Sequence, residues 1–282
     1  MDYVTIENDL LGVTVDLNGG ALHSITDRRD GSELMWDGSC GWKKRDLVLF
    51  PFCCSRIDNT YTIDGKEFEI DIHGFAKNGR FAALEKTADS VTLALYSNTE
   101  TLKIYPYDFV LYVKYKLSGD TLSIRYEVVN PSESPLYYSV GGHLGVMLDG
   151  ADTKGNFVRF AKPLKRAYTL DGAFIDGAKD VCVTEFEASK EFFLKEDTLM
   201  LETDGGVDFT VERANGKKLG FSVSSPVIAF WTHPAGGNFV CVEPWWGLPD
   251  TLPKQSEIDR KPFVIKLDGK KRRECGYDIK LL

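Results

Sequence analysis

Two residues stand in surroundings that single them out for acid–base chemistry. Glu243 closes the apolar run Asn238-Phe239-Val240-Cys241-Val242 and precedes Pro244-Trp245-Trp246-Gly247. A carboxylate at the end of a buried strand is costly to desolvate unless it is paired or used. Indole rings beside it suit a sugar, whose apolar face packs on an aromatic ring while carboxylates and imidazoles bond its hydroxyls. His143 sits in Val140-Gly141-Gly142-His143-Leu144-Gly145, where three glycines permit close approach of backbone or ligand. An imidazole and a carboxylate are the usual general acid and general base.

The chain has only four histidines. His73 follows a hairpin signal in Asp71-Ile72-His73-Gly74-Phe75-Ala76, while His23 and His233 have weaker surroundings, His233 reading as a loop residue before Pro234. Arg56 ends the apolar stretch Leu49-Phe50-Pro51-Phe52-Cys53-Cys54-Ser55, as an exposed charge or as the partner of a buried acid. Trp36, Trp42 and Lys43 belong either to the same rim or, for the tryptophans, to the core. For His143 and Glu243 a structural role remains the alternative: a histidine packed before glycine, an acid tying strand ends. Nucleotide-binding glycine loops and the G-x-S-x-G elbow are absent from the sequence. His73, His143 and Glu243 could form a two-histidine, one-carboxylate metal site, but no H-x-D/E spacing places two ligands on one strand, and no metal is expected.

These residues need strands to position them. Asp64-Gly65 between Tyr61-Thr62-Ile63 and Phe68-Glu69-Ile70 is a two-residue hairpin signal, and Asn215-Gly216 joins Val207–Arg213 to Leu219–Ser225. Val91–Tyr96, Phe109–Leu117, Thr121–Val129, Val227–Trp231, Asn238–Glu243, Phe263–Leu267 and Tyr277–Leu281 read as further strands, with alternation only in the second half of 110–117. A short helical piece is expected near Ser189–Lys195. Many strands on short turns, with no linker or repeat, predict an all-β class: a large antiparallel β-sandwich forming one domain over 1–282. With 43% hydrophobic and 12% aromatic residues the chain has ample core material.

A net charge of −8 disfavours polyanions, so no nucleic acid is expected; the run Lys270-Lys271-Arg272-Arg273 reads as a solvated turn. No stretch approaches about eighteen apolar residues, and Met1-Asp2-Tyr3-Val4-Thr5 does not open a signal peptide, so neither membrane nor export is expected. Six scattered cysteines read as reduced, mostly core thiols of a cytoplasmic protein.

Four blocks, in this order, resemble the aldose 1-epimerase (galactose mutarotase-like) family, particularly its LacX-type branch. They are Trp42-Lys43 through Leu49-Phe50-Pro51-Phe52 to Arg56; His73-Gly74-Phe75-Ala76; Gly141-Gly142-His143; and Phe239-Val240-Cys241-Val242-Glu243-Pro244-Trp245-Trp246-Gly247-Leu248-Pro249-Asp250. The resemblance runs over nearly the whole chain and implies a β-supersandwich. It implies that Arg56 and His73 bind the sugar, that His143 is the general acid and that Glu243 is the general base. Asp197, in Lys195-Glu196-Asp197-Thr198-Leu199-Met200, aligns loosely with a sugar-binding aspartate; a plain turn residue is the other reading. The sequence departs from the pattern at Ser55, at Gly142 and at Leu144-Gly145-Val146, which leaves the identity of the sugar open.

The implied reaction is anomer interconversion of a free aldose. Glu243 removes the C1 hydroxyl proton, His143 protonates the ring oxygen, and the open chain recloses on its other face, with Trp245 or Trp246 as an apolar floor. No cofactor is needed. The pH–rate profile should be bell-shaped, with a limb from each group falling between about 5 and 9. The partner is a small-molecule monosaccharide. A non-catalytic carbohydrate-binding or sensing protein, or a sugar-phosphate mutarotase, are the rival readings.

Overall fold

The computed structural model describes residues 2–282. Among these, 15 strands join into one sheet, and every paired neighbour in it is antiparallel. From one edge the order is Val48–Leu49, Val140–Gly142, Phe239–Trp246, Val227–Trp231, Thr198–Glu202, Phe157–Asp171, Val207–Glu212 and Lys218–Val223. It continues through Arg272–Leu281, Thr121–Val129, Val110–Ser118 and Ser90–Tyr96 to Ala82–Lys86. Leu144–Met147 also pairs with Phe239–Trp246, and Phe174–Glu187 pairs with Phe157–Asp171. A separate four-stranded meander holds Tyr3–Glu7, Leu11–Asp16, Leu22–Asp27 and Ser32–Glu33.

The long sheet folds back on itself because its apolar faces need each other. Phe50, beside one edge strand, packs against Phe109, beside a strand near the opposite edge, with ring centroids 4.9 Å apart. Tyr126 similarly meets Trp246. One hydrophobic core takes residues from the N-terminal meander (Ile6, Val13, Ile25), from Leu144–Met147 and Phe239–Trp246 (Val146, Val240) and from the C-terminal strand (Ile279). This is the all-β sandwich expected.

Local chemistry explains most of the agreement. Asp64 and Gly65 both take positive φ, as a two-residue hairpin turn between Thr60–Ile63 and Lys66–Glu69 requires. The helix Lys190–Glu196 starts at Ser189, whose hydroxyl accepts from Phe192 N–H at 3.2 Å.

Three expectations need correction, on one strand's alternation, one strand's end and the cysteines, and one pair of strands went unread. Val110–Ser118 alternates along its whole length, since Leu111, Val113, Tyr115 and Leu117 are all buried; the apolar Val110 and Tyr112 on the other face masked the period. The strand that begins at Phe239 does not stop at Glu243 but runs to Trp246, with Pro244 inside it. The long hairpin of Phe157–Asp171 and Phe174–Glu187 carries many exposed residues on both strands, so it showed no clear period. The six cysteines are free, but only Cys53 and Cys241 are fully buried, while Cys40 and Cys182 are exposed. Among the described residues no helix is long and apolar enough to cross a membrane.

Candidate active site

Strand register brings His143 and Glu243 together. Leu144 pairs with Val242 and Gly145 with Cys241, while Gly141 pairs with Trp245, so the same register sets His143 directly opposite Glu243. Their side chains meet at 3.2 Å, Nε2 to Oε2, and both are almost fully buried. On the other side of Glu243, Ala229 is the cross-strand partner, and Ala229 in turn pairs with Met200. Residues alternate between faces, so Cys241, Glu243 and Trp245 point one way. That face, with Trp231 and Met200, floors a cavity of about 530 Å³. The size suits a small molecule. Trp246 points to the other face and joins the core, so of the two adjacent indoles it is Trp245 that lines the cavity.

The glycines around His143 have separate jobs. A side chain at Gly141 would meet Trp245 Cδ1 at 2.9 Å, and one at Gly145 would meet Trp42 Cζ3 at 3.1 Å. Their absence leaves room for these two indoles; Trp42 stacks on the His143 ring at 4.9 Å and 25°, and Trp231 meets that ring edge to face at 5.9 Å. Gly142 faces the opposite way and makes room for the hydroxyls of Tyr126 and Tyr277. The His143 backbone N–H, between two short strands, donates to Asp46 Oδ1 at 3.3 Å, and Asp46 Oδ2 accepts from Leu22 N–H at 2.9 Å.

His73 adopts φ 63, and Gly74 after it has room only for hydrogen, because a Cβ there would lie 2.2 Å from the Phe50 carbonyl oxygen. The His73 ring meets His143 edge to face at 5.2 Å. Cys54 N–H donates to His73 Nδ1 at 3.0 Å, which puts the ring proton on Nε2. His73 and Asp197 both line the cavity, Asp197 from the residue that ends the helix Lys190–Glu196.

Arg56 lies elsewhere. Its Nη1 donates to Asp250 Oδ1 at 2.8 Å, its Nη2 donates to the carbonyls of Cys53 and Leu248, and it is not among the cavity-lining residues. Asp250 also accepts from Lys261 Nζ and from Ile57 N–H at 2.8 Å. The arginine is thus the partner of a buried acid, one of the two alternatives its sequence position left open. Several lining residues were not singled out by sequence: Lys44, Lys77, Asn78, Thr198, Met200, Trp231, and Leu170, Gly172 and Ala173 at the tip of the long hairpin. Lys44 adjoins the noted Trp42-Lys43 pair, and Lys77 follows the His73 block by one position, which is the only signal either offered.

Burial governs the protonation of the site. It pushes Glu243 well above the usual carboxylate range, with the nearby Asp46 adding to the effect, and pushes His143 down to about 3. Asp46 itself rises to about 7, burial outweighing the backbone N–H groups that favour its charge. His73 is held well below its ordinary value by burial first and by His143 next. Burial thus favours the protonated carboxyl and the neutral imidazole in this pair. Ligand atoms of His143, Cys241 and Glu243 lie within 4.8 Å of one another, so Cys241, not His73, completes that cluster. Its thiol is pushed up by burial, which disfavours the thiolate a metal requires.

Comparison with known proteins bears on the family and the fold. The sequence model of the aldose 1-epimerase family matches residues 2–208. The LacX protein (chromosomal) of Lactococcus lactis subsp. lactis is 26% identical over 99% of both chains. The galactose mutarotase related enzyme from Lactobacillus acidophilus superposes with a TM-score of 0.95 at 26% identity, covering 99% of this chain and 97% of that one. A galactose mutarotase-like protein from Lactobacillus casei shares the fold, with a TM-score of 0.93 at 23% identity over 99% of this chain and all of that one. A family match over more than two thirds of the chain, on a fold of this kind, leads to one conclusion: the chain belongs to the aldose 1-epimerase family.

Proposed function

We propose that this protein interconverts the α and β anomers of an aldose by acid–base ring opening, with Glu243 and His143 as the reacting groups. The observation that carries the reading is their 3.2 Å contact on the floor of an indole-lined cavity. Ring opening removes the C1 hydroxyl proton and adds one to the ring oxygen, so the enzyme needs one proton in and one out. A pair that holds one proton between two sites meets that requirement in either direction.

Burial favours the protonated carboxyl. A sugar whose C1 hydroxyl donates to Glu243 stabilises the carboxylate and moves the proton to His143. Glu243 then takes the C1 hydroxyl proton as the C1–ring oxygen bond breaks, and His143 delivers its proton to the leaving ring oxygen. Rotation about C1–C2 and the reverse steps close the ring on the other face. His73 Nε2–H and Asp197 bond sugar hydroxyls, and Trp245 packs against the apolar face of the ring. Arg56 supports the wall from beneath, through Asp250, instead of touching the sugar.

The test is exchange NMR on a panel of aldoses. Wild type should speed anomer exchange beyond the spontaneous rate, and Glu243→Gln and His143→Asn should each reduce the enzymatic rate by about 10²–10⁴-fold. Full activity in either variant would remove the acid–base assignment. Binding of a sugar by wild type with no acceleration would favour a carbohydrate-binding protein, a role that does not need a shared proton.

A further inference from the structure

A second, polar pocket of about 230 Å³ opens beside the active-site cavity and shares Lys44, Leu47 and Lys77 with it. Where the main cavity is walled by rings, this annex is walled by charge. Lys43, Lys44, Arg45 and Lys77 line it together with the acids Asp16 and Asp46. Four cationic residues along one pocket stand out on a chain whose net charge is −8. Asp46 is the weaker counter-charge of the two acids, since burial raises it to about 7.

Three of the four cations have protein partners. Lys43 donates to the Ser39 carbonyl, Arg45 to the His23 carbonyl, and Lys77 to Asp71 and the Ile72 carbonyl. Lys44 has no hydrogen bond or ion pair among the described residues, and it stands on the boundary between the two pockets. Both boundary lysines are joined by short segments to the site itself. Lys44 lies two residues beyond Trp42, which stacks on His143, and Lys77 lies four beyond His73.

We propose that the annex receives a phosphate monoester on the substrate, so that the preferred sugar is an aldose phosphate with its anomeric carbon at His143 and Glu243 and its phosphate at Lys44 and Lys77. This rests on the mutarotase reading and narrows its substrate. A phosphate monoester carries close to two negative charges at neutral pH and three strong acceptor oxygens, which matches a cluster of ammonium groups better than any sugar hydroxyl does. A hexuronate shares the negative charge but has only one unit of it.

Two measurements on the full chain decide the matter: calorimetric binding, and exchange NMR of anomers. Each uses a hexose, its 6-phosphate and its 6-uronate in the same configuration. The 6-phosphate should bind and turn over at least about tenfold better than the hexose, as expected for new charge-assisted hydrogen bonds. Lys44→Ala and Lys77→Ala should each lower the ratio of kcat/KM for 6-phosphate over hexose by about tenfold, and added salt should lower it further. Equal or better use of the neutral hexose would overturn the annex and leave the mutarotase reading standing. A uronate preferred to the phosphate would overturn the phosphate assignment. Tight binding of the 6-phosphate without turnover would support the annex and remove the acid–base reading instead.

Discussion

Two clusters of buried ionisable groups lie on either side of the same wall, and they are built in opposite ways. In the first, Asp250 accepts from Arg56, Lys261 and the Ile57 N–H, while Arg56 donates also to two carbonyls. In the second, Glu243 has His143 as its one side-chain partner at 3.2 Å, and His143 Nδ1 and the neighbouring Trp245 Nε1 are buried without partners. In the first cluster the charges are paired within the protein, with only Arg56 Nε left over; in the second the unpartnered atoms belong to residues that line a cavity. A buried polar atom without a partner costs about 1–3 kcal/mol, and a stable fold retains such atoms where a ligand completes them. The contrast separates a charge that holds the wall from a pair that works on what enters.

The sharpest way to break this distinction is to neutralise one acid in each cluster. Glu243→Gln should cut the enzymatic exchange rate by about 10²–10⁴-fold while the melting temperature stays at or above that of wild type, because an under-bonded buried carboxyl has been removed. Asp250→Ala should do the reverse. It strands the Arg56 and Lys261 cations in the interior, and breaking a buried pair in this way costs about 3–5 kcal/mol of stability. Denaturant unfolding and exchange NMR on both variants give the four numbers. If Asp250→Ala keeps its stability and loses its rate, the division of labour is wrong.

The pH dependence sharpens the same contrast. His143 and His73 are held neutral by burial, so the unfolded chain binds protons that the folded one refuses. Stability from these two groups is present above their unfolded value near 6.5 and is lost as pH falls toward the depressed folded values, about 3 for His143. His143→Asn should flatten part of that acid slope in denaturant titrations. For catalysis the same shift widens the bell. Gain of a second proton by the pair is deferred to about pH 3, and loss of its last proton is deferred well above the usual carboxylate range, so the acid limb leaves the window that unperturbed groups would set. A kcat/KM profile that falls steeply between pH 6 and 5 would contradict a buried, shared proton.

How much of this was legible beforehand depended on whether the information was local. The hairpin at Asp64-Gly65 and the strand Thr121–Val129 were readable because turn residues and short-range periodicity specify them. Glu243 stood out through its apolar neighbours, although Pro244 suggested a strand end where the strand in fact continues to Trp246. Arg56 was visible as a charge after an apolar run, but which way it turns depends on Asp250, 194 residues away, and no local pattern encodes that. Trp42 was equally ambiguous between core and rim. Its stacking on His143 depends on the missing side chain of Gly145 in a distant strand. Leu170, Gly172 and Ala173 reach the cavity from the tip of a hairpin whose mixed exposure hid even its strands.

The smallest expected effect tests whether the unfilled capacity extends beyond the reacting pair. Trp245 sits on the Glu243 face of the same strand, 2% exposed, with its ring on the cavity and its Nε1–H unbonded. Trp245→Phe keeps an aromatic floor and removes that donor together with part of the indole ring. If a sugar hydroxyl accepts from Nε1, the variant loses one neutral hydrogen bond, about 0.5–1.5 kcal/mol, which raises KM by roughly two- to twelvefold with a smaller change in kcat. The melting temperature should fall only by what the lost ring carbons cost in packing, because the removed N–H had no protein partner to lose. A fall in stability with KM unchanged would instead place Trp245 with Arg56 and Asp250, among the residues that build the wall.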